Sequence, residues 1–145
     1  MSHPYIVVID DNPADIELLR IALNQREEPY ELVALTDGEE ALNYVKQRDK
    51  ADSETSPCVI LLDYHLPKHD GREVLAALKR EPELKRVHVL MLTSGGVRPQ
   101  EQAEIESMDV DFRLKPREFS EVLQLATDIL SICKNTAAVP AKVIV

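Results

Sequence analysis

Short runs of aliphatic and β-branched residues alternate along the chain with longer segments in which apolar residues recur every three or four positions. This alternation predicts strands separated by helices, and hence a parallel sheet covered by helices on both faces. The five predicted strands are 5–9, 30–35, 58–62, 87–92 and 110–114. The first, third and fourth are almost continuously apolar, as central strands are, whereas the second and fifth are expected at the edges.

Helix-start signals fall between these strands. Asn12 is a suitable N-cap and Pro13 occupies the first helical position after it. The five predicted helices begin near Pro13, Gly38, Gly71, Pro99 and Phe119. The order of elements predicts an α/β fold of the doubly wound type, with its ligand crevice at the carboxyl ends of the strands.

A chain of 145 residues is long enough for one domain with its own core. We expect this domain to span residues 4–134, followed by a flexible C-terminal tail at 135–145. The polar segment 49–57 is expected to be a surface loop. No apolar run approaches the roughly 20 residues of a membrane span, and no signal peptide is evident, which indicates a cytoplasmic protein without membrane partners.

Charge and cysteine content restrict the partners further. With 26 acidic and 17 basic residues the formal net charge is -9, which disfavours direct binding of nucleic acid and favours protein partners. Cys58 and Cys133 lie far apart in sequence and lack metal-ligand spacing. Reduced thiols are therefore expected, with a regulatory disulfide as the alternative.

Carboxylates follow two of the predicted strands directly. Asp10 and Asp11 come after the first strand, and Asp63 comes after the third. In a sheet of order 2-1-3-4-5 these two strand ends are neighbours, so the acids converge. Such a pocket of oxygen ligands suits a hard cation such as Mg²⁺. The alternative for Asp10 and Asp11 is a helix N-terminus that favours negative charge.

Complementary groups follow the last two strands. Thr93 follows the fourth, and Lys115 follows the fifth. A lysine there can neutralise phosphoryl oxygens and a threonine can donate a hydroxyl to one of them. Taken singly, Thr93 is better explained as a helix or loop cap and Lys115 as a solvated surface ammonium. Their joint placement at one edge of the sheet favours a phosphoryl site.

These residues resemble the receiver domain of two-component response regulators. The resemblance covers nearly all of residues 4–134. It rests on Asp10-Asp11, on Asp63 followed by Leu66-Pro67 and Asp70-Gly71, on Thr93, and on Lys115-Pro116. It implies a flavodoxin-like (βα)5 fold with five parallel strands in the order 2-1-3-4-5.

The resemblance also implies roles for individual residues. Asp63 would attack a phosphohistidine of a sensor histidine kinase and become an aspartyl phosphate, assisted by Lys115 and Thr93. The ligands of Mg²⁺ would be Asp10, Asp11, Asp63 and the backbone carbonyl of His65. Thr93 and Phe112 would form the switch, the Lys115–Pro116 bond would be cis, and His65 and Gly95 would tune phosphoryl hydrolysis.

Three further stretches, 11–15, 37–41 and 68–75, are similar to the stand-alone regulators paired with bacterial phytochromes. This similarity implies a light-sensing kinase as partner, docked around Ile16 and Arg20 of the first helix and the loop after Lys115. It also implies a homodimer through the fourth helix, fifth strand and fifth helix. The downstream target stays open, as does a role as a phosphate relay or sink without output.

Two other classes of protein compete with this interpretation. A haloacid-dehalogenase-like phosphohydrolase also combines aspartate, Mg²⁺, threonine and lysine, but it places its nucleophile in an Asp-x-Asp motif after the first strand, where this chain has Asp10-Asp11. A flavodoxin-like FMN-binding module would need small hydroxyl residues in place of those two carboxylates, which repel a phosphate. We therefore expect a phosphoacceptor rather than a turnover enzyme.

Overall fold

The computed structural model describes residues 3–48 and 56–138. Its strands are β1 (Tyr5–Ile9), β2 (Glu31–Leu35), β3 (Val59–Asp63), β4 (His88–Thr93) and β5 (Asp111–Leu114). Its helices are α1 (Pro13–Asn24), α2 (Gly38–Gln47), α3 (Gly71–Arg80), α4 (Pro99–Glu106) and α5 (Phe119–Ala138). Each strand lies within one residue of its predicted bounds.

The five strands form one parallel sheet in the order β2-β1-β3-β4-β5. This result confirms the predicted fold class and places β2 and β5 at the edges. Pairing of Ile9 with both Leu35 and Leu62 aligns the carboxyl ends of the three strands on that side. Pairing of Asp63 with Leu92 extends the alignment to β4. The residues that follow these strands therefore meet along one edge of the sheet.

Helix N-termini beside this edge are fixed by short polar side chains. Asn12 accepts a hydrogen bond from the backbone N–H of Ala14, with Pro13 at the first position, as expected for α1. Asp37 caps α2 in the same way. At α3, Asp70 and Glu73 form a reciprocal capping box. These caps set where the loops between strand ends and helices begin.

Apolar side chains form two cores, one on each face of the sheet. Helices α1 and α5 cover one face, where Leu19, Leu23 and Ile129 are buried. Helices α2, α3 and α4 cover the other face, where Val45 and Leu78 are buried. Helix α4 contributes one buried residue, Ile105, among those described. Burial on both faces explains why β1, β3 and β4 are almost entirely apolar.

The C-terminal helix is longer than the predicted domain boundary allows. Helix α5 continues to Ala138, four residues past the predicted end of the domain at 134. The rest of the predicted tail and most of the predicted loop 49–57 lie outside the described residues. Within the described ranges, no helix is long and apolar enough to cross a membrane.

The expectation that both cysteines are reduced thiols is wrong for this structure. A disulfide joins Cys58, just before β3, to Cys133 on α5, with 5.1 Å between the two Cα atoms. The expectation failed because sequence separation does not reveal that α5 packs over the start of β3. Closing a loop of this length is worth about 4 kcal/mol in the chain-entropy model.

Candidate functional site

Three carboxylates converge at the carboxyl edge of β1 and β3. One oxygen from each of Asp10, Asp11 and Asp63 lies within 4.8 Å of the others. Asp10 and Asp63 are buried, whereas Asp11 is exposed. The spacing allows one cation to contact all three, and oxygen ligands of this kind suit a hard divalent ion. The residues therefore fit the expected metal site.

Lys115 reaches this cluster from the end of β5. Its backbone N–H donates to the carbonyl of Thr93 (2.8 Å), which continues the sheet pairing by one residue. Its Nζ atom lies 2.9 Å from Asp63 Oδ2 and 3.2 Å from Asp10 Oδ2. The expected cis peptide before Pro116 is wrong, since no cis bond occurs in the described residues. Lys115 reaches Asp63 from a trans peptide.

A fourth carboxylate, Asp15, was not singled out from the sequence. Asp15 Oδ2 lies 3.1 Å from Lys115 Nζ, so the ammonium contacts three carboxylates at once. The signal was present, because Asp15 lies on the first turn of α1, and this helix begins directly after the loop that carries Asp10 and Asp11. Its position at a helix start concealed it, since acidic residues are common there.

Burial and the neighbouring charges of the cluster shift two pKa values. Burial raises the pKa of Asp10 to about 6, and the Asp63 charge adds to the rise, against hydrogen bonds from Asn12 and Lys115. For Lys115, burial disfavours the charged form, but hydrogen bonds and attraction to Asp63, Asp10 and Asp15 outweigh it and raise the pKa. One ammonium thus leaves the cluster short of positive charge.

Asp10→Asn is expected to stabilise the metal-free protein at pH 7 by about 1–3 kcal/mol, because a carboxylate whose pKa is raised by folding destabilises the folded state while it is charged. The folded-state pKa of Asp10, about 6, exceeds the reference value of 3.8. Protonation therefore favours the folded state, and the parent gains stability from this group as pH falls from 6 to 4. Urea unfolding in a chelator at pH 7 and pH 5 measures both effects. A variant less stable than the parent at pH 7 would contradict the argument.

The Asp63 side chain is held from two sides. Oδ2 meets Lys115, and Oδ1 accepts the backbone N–H of His65 at 3.0 Å. The loop behind it packs closely on the start of α3, where a Cβ atom added to Gly71 would lie 2.8 Å from the Asp63 carbonyl oxygen. Glycine at position 71 therefore allows the loop after β3 to lie directly on the helix.

Thr93 ends β4 beside Asp63 and is buried. Its Oγ1 accepts the backbone N–H of Gly95 at 3.1 Å and lies 3.3 Å from the Gly95 carbonyl. The ring of His65 approaches the same carbonyl, with Nε2 at 3.4 Å. Gly95 has φ +118°, a conformation that other residues rarely adopt. The structure therefore brings Thr93, His65 and Gly95 together beside the Asp63 carboxylate.

A second cluster, which the sequence pattern does not predict, links the loop after Asp63 to α4. Tyr64 directly follows Asp63, and its hydroxyl donates to Glu101 Oε2 on α4 at 2.8 Å. Hydrogen bonds from Arg98 and Tyr64 lower the pKa of Glu101 to about 2. The Tyr64 ring also lies 6.4 Å from the ring of Phe112, which is half-buried on β5. Tyr64 thus connects Phe112 to the loop after Asp63 and to α4.

A cleft opens beside the carboxylates, between α1 and the loop after β5. Asp15, Leu18, Lys115 and Pro116 line its mouth. Ile16, around which docking of the kinase is expected, is itself buried in the core. The exposed apolar side chains of this helix are Leu18 and Ile21, at 40% and 41%.

The chain is similar to known proteins over most of its length. The family model described as response regulator receiver domain matches residues 6–127. Response regulator Rcp1 of Synechocystis sp. is 33% identical over 136 residues, which cover 94% of this chain and 92% of Rcp1.

Two solved structures are similar over nearly their whole length. The phosphorylated cyanobacterial phytochrome response regulator RcpA is 35% identical with a TM-score of 0.76, covering 94% of this chain and 97% of RcpA. The Mn²⁺-bound form of Rcp1 is 33% identical with a TM-score of 0.75, covering 95% of this chain and 99% of that one.

Proposed function

Since this chain belongs to the response regulator receiver domain family, we propose that it accepts a phosphoryl group on Asp63 from a phosphohistidine of a sensor histidine kinase. The observation that carries the proposal is the Asp63 carboxylate itself. It is buried, lies 2.9 Å from Lys115 Nζ, and shares an edge of the sheet with Asp10 and Asp11. The test is uptake of one phosphoryl group from acetyl phosphate that requires both Mg²⁺ and Asp63.

In the proposed reaction an Asp63 oxygen attacks phosphorus and the bond from phosphorus to the imidazole nitrogen breaks. The electron pair of that bond goes to the imidazole, and the product on this chain is an aspartyl phosphate. Phosphoryl transfer depends mainly on positioning and on neutralising charge. The hydrogen bond from the His65 N–H fixes the carboxylate, and Lys115 provides a cation for the phosphoryl oxygens.

Asp10, Asp11 and Asp63 would hold Mg²⁺, with the backbone carbonyl of His65 as a further ligand. When bound, the ion would neutralise negative charge on the carboxylates and on the transferring group. Support comes from the three converging oxygens, and from the Asp63 charge, which adds to the rise that burial causes in the pKa of Asp10. The related Rcp1 has a structure with Mn²⁺ bound, and a site of the same donor type accepts either hard ion.

Thr93 and Phe112 would transmit phosphorylation to the surface. Thr93 Oγ1 is satisfied by Gly95 in this structure, so a phosphoryl oxygen on Asp63 would compete for the hydroxyl. Its movement would open space behind it for the Phe112 ring to turn inward. Because Tyr64 contacts both Phe112 and Glu101, that rotation would also affect the first turn of α4. His65 and Gly95, beside the acceptor, are placed to influence how fast the phosphoryl group is hydrolysed.

The kinase would dock on α1 and the loop after β5, over the cleft beside Asp63. The exposed apolar side chains of Leu18 and Ile21 lie there on a chain that is otherwise strongly acidic. A bacterial phytochrome is the proposed kinase class, because Rcp1 and RcpA are similar over nearly all their length and RcpA is described as a phytochrome regulator. Phosphotransfer profiling against purified kinases tests the pairing, and preference for a kinase of another class would overturn it.

Leu18→Lys is expected to reduce phosphotransfer from the best kinase in that profile by about tenfold or more, because it places charge in an apolar contact. Uptake from acetyl phosphate should stay within about twofold, since a small donor needs no docking surface. Gln25→Lys adds the same charge at the exposed end of α1 and serves as the control. Equal losses with both donors would indicate damage to the site rather than to docking.

The proposed output surface is formed by α4, β5 and α5, through which two copies of the chain would form a homodimer. Two large apolar side chains near β5 are exposed, Leu114 at 62% and Phe119 at 38%. Apolar groups at that level of exposure are candidates for a partner contact. Beside them Arg113 contacts Asp111 and Asp128 within the chain. The surface therefore offers both apolar and charged groups to a second copy.

A further inference from the structure

The disulfide lies at the opposite end of the sheet from the phosphoryl site. Cys58 immediately precedes β3, whereas Asp63 ends the same strand. Five residues of strand separate them by roughly 17 Å. Chemistry at the sulfurs can therefore occur without contact with the carboxylates, and nothing in the proposed phosphoryl transfer uses the two cysteines.

The two sulfurs differ in their access to solvent. Cys133 lies on α5, is only 4% exposed, and packs in the core between the sheet and helices α1 and α5. Cys58 is only half-buried, and its backbone N–H donates to the carbonyl of Tyr5 at 2.9 Å, which holds it at the amino end of the central strand β3. A thiolate arriving from solution can therefore reach Cys58 more readily than Cys133. The leaving sulfur would then be Cys133.

The disulfide is also the strongest described link at the C-terminal end of α5. The next residue, Lys134, forms an ion pair with Glu28 at 3.1 Å, but the lysine side chain is 64% exposed. Exposed pairs of this kind contribute little to stability. Breaking the disulfide should therefore loosen the end of α5, a helix that packs along α1 and forms part of the proposed dimer surface.

We propose that Cys58 and Cys133 form a reversible redox modification site for dithiols. A thiolate of a reduced dithiol attacks Cys58 Sγ, and the Cys133 sulfur leaves with the electron pair of the disulfide bond and takes up a proton. The second thiol of the reagent, as its thiolate, then attacks the mixed disulfide and releases Cys58, which also takes up a proton. The protein gains two electrons and the dithiol becomes a cyclic disulfide. Exchange with the oxidised dithiol reverses the reaction.

A disulfide in a chain expected to work in a reducing compartment fits this role. Disulfides in such compartments are rare and are usually transient or redox-sensing. Reduction removes a constraint that spans 75 residues of sequence. The structure therefore assigns to the pair a control of α5 that is independent of the phosphorylation state.

The experiment uses the full chain under native conditions. The protein is incubated with oxidised or reduced dithiothreitol and then alkylated, and its intact mass is measured. Two alkylated thiols are expected after reduction and none after oxidation. The melting temperature should fall by about 10 °C on reduction and recover on reoxidation. Phosphoryl uptake by Asp63 should change less than twofold, so failure of the phosphoryl site and failure of the redox site give different results.

Variants separate this effect from a general sensitivity to dithiols. The double variant Cys58→Ser with Cys133→Ser should melt near the reduced parent and should not respond to either reagent. If it fails to fold, the reduction and reoxidation of the parent still decide the question. Free thiols in the oxidised chain, a bond that joins two chains, or a disulfide that is reduced only in denaturant would each overturn the proposal.

Discussion

Asp63→Asn is expected to abolish phosphoryl uptake, with a loss of about 100-fold or more, because an amide cannot serve as the nucleophile. The variant should still fold, since its Oδ1 atom can accept the His65 N–H as the carboxylate does. Removing one negative charge from the cluster should also relieve repulsion with Asp10. Intact mass after incubation with acetyl phosphate, with and without Mg²⁺, measures the effect.

The matched control for this experiment is Asp70→Asn. Asp70 lies in the same loop but is exposed and caps α3, and asparagine is an equally good N-cap. Uptake by this variant should equal that of the parent. If Asp63→Asn still takes up one phosphoryl group, another residue is the acceptor. Release of phosphate by the parent, without accumulation of phosphorylated protein, would instead favour the alternative of a phosphohydrolase.

The fold could be predicted almost completely because its signals are local. Each strand is a compact apolar run, and caps such as Asn12, Asp37 and Asp70 mark where helices begin. The strand order came from the resemblance rather than from periodicity. Strand ends were displaced by one residue because polar residues such as Asp63 and Thr93 still pair within the sheet.

Side-chain contacts between distant elements were the part that sequence could not supply. The disulfide depends on how α5 crosses the start of β3, and the bond between Tyr64 and Glu101 depends on where α4 begins. Neither distance is encoded in a local pattern. Ile16 shows a different limit: it lies in the apolar stripe of α1, so its burial followed from periodicity, and only the family comparison suggested it as a contact.

The residues of the candidate site could be predicted from their positions after the strands. Four predicted residues, Asp10, Asp11, Asp63 and Lys115, converge because parallel strands end at a common edge. Their roles remain predictions until uptake is measured. Asp15 could not be predicted in this way, because it lies on the first turn of α1 rather than after a strand, and it gives Lys115 a third carboxylate partner. That extra charge strengthens the case for a cation in the site.

Lys115→Ala should leave slow, Mg²⁺-dependent phosphorylation of Asp63 while uncoupling it from dimerisation. The lysine contacts three carboxylates at 2.9, 3.1 and 3.2 Å, so its loss removes the positive charge expected to hold the phosphoryl group against the switch residues. The metal-free variant should also lose about 2 kcal/mol of stability, because buried charges are left without a partner. Mg²⁺ should then raise its melting temperature more than that of the parent.

Light scattering of phosphorylated and unphosphorylated protein measures the coupling, and chelator titrations of the melting temperature measure the metal effect. Lys68→Ala is the control, because Lys68 pairs with Glu39 on the surface and is 56% exposed. It should change neither quantity. If the Lys115 variant dimerises on phosphorylation as the parent does, the ammonium is not part of the switch. If Mg²⁺ stabilises both proteins equally, the lysine and the cation do not neutralise the same carboxylates.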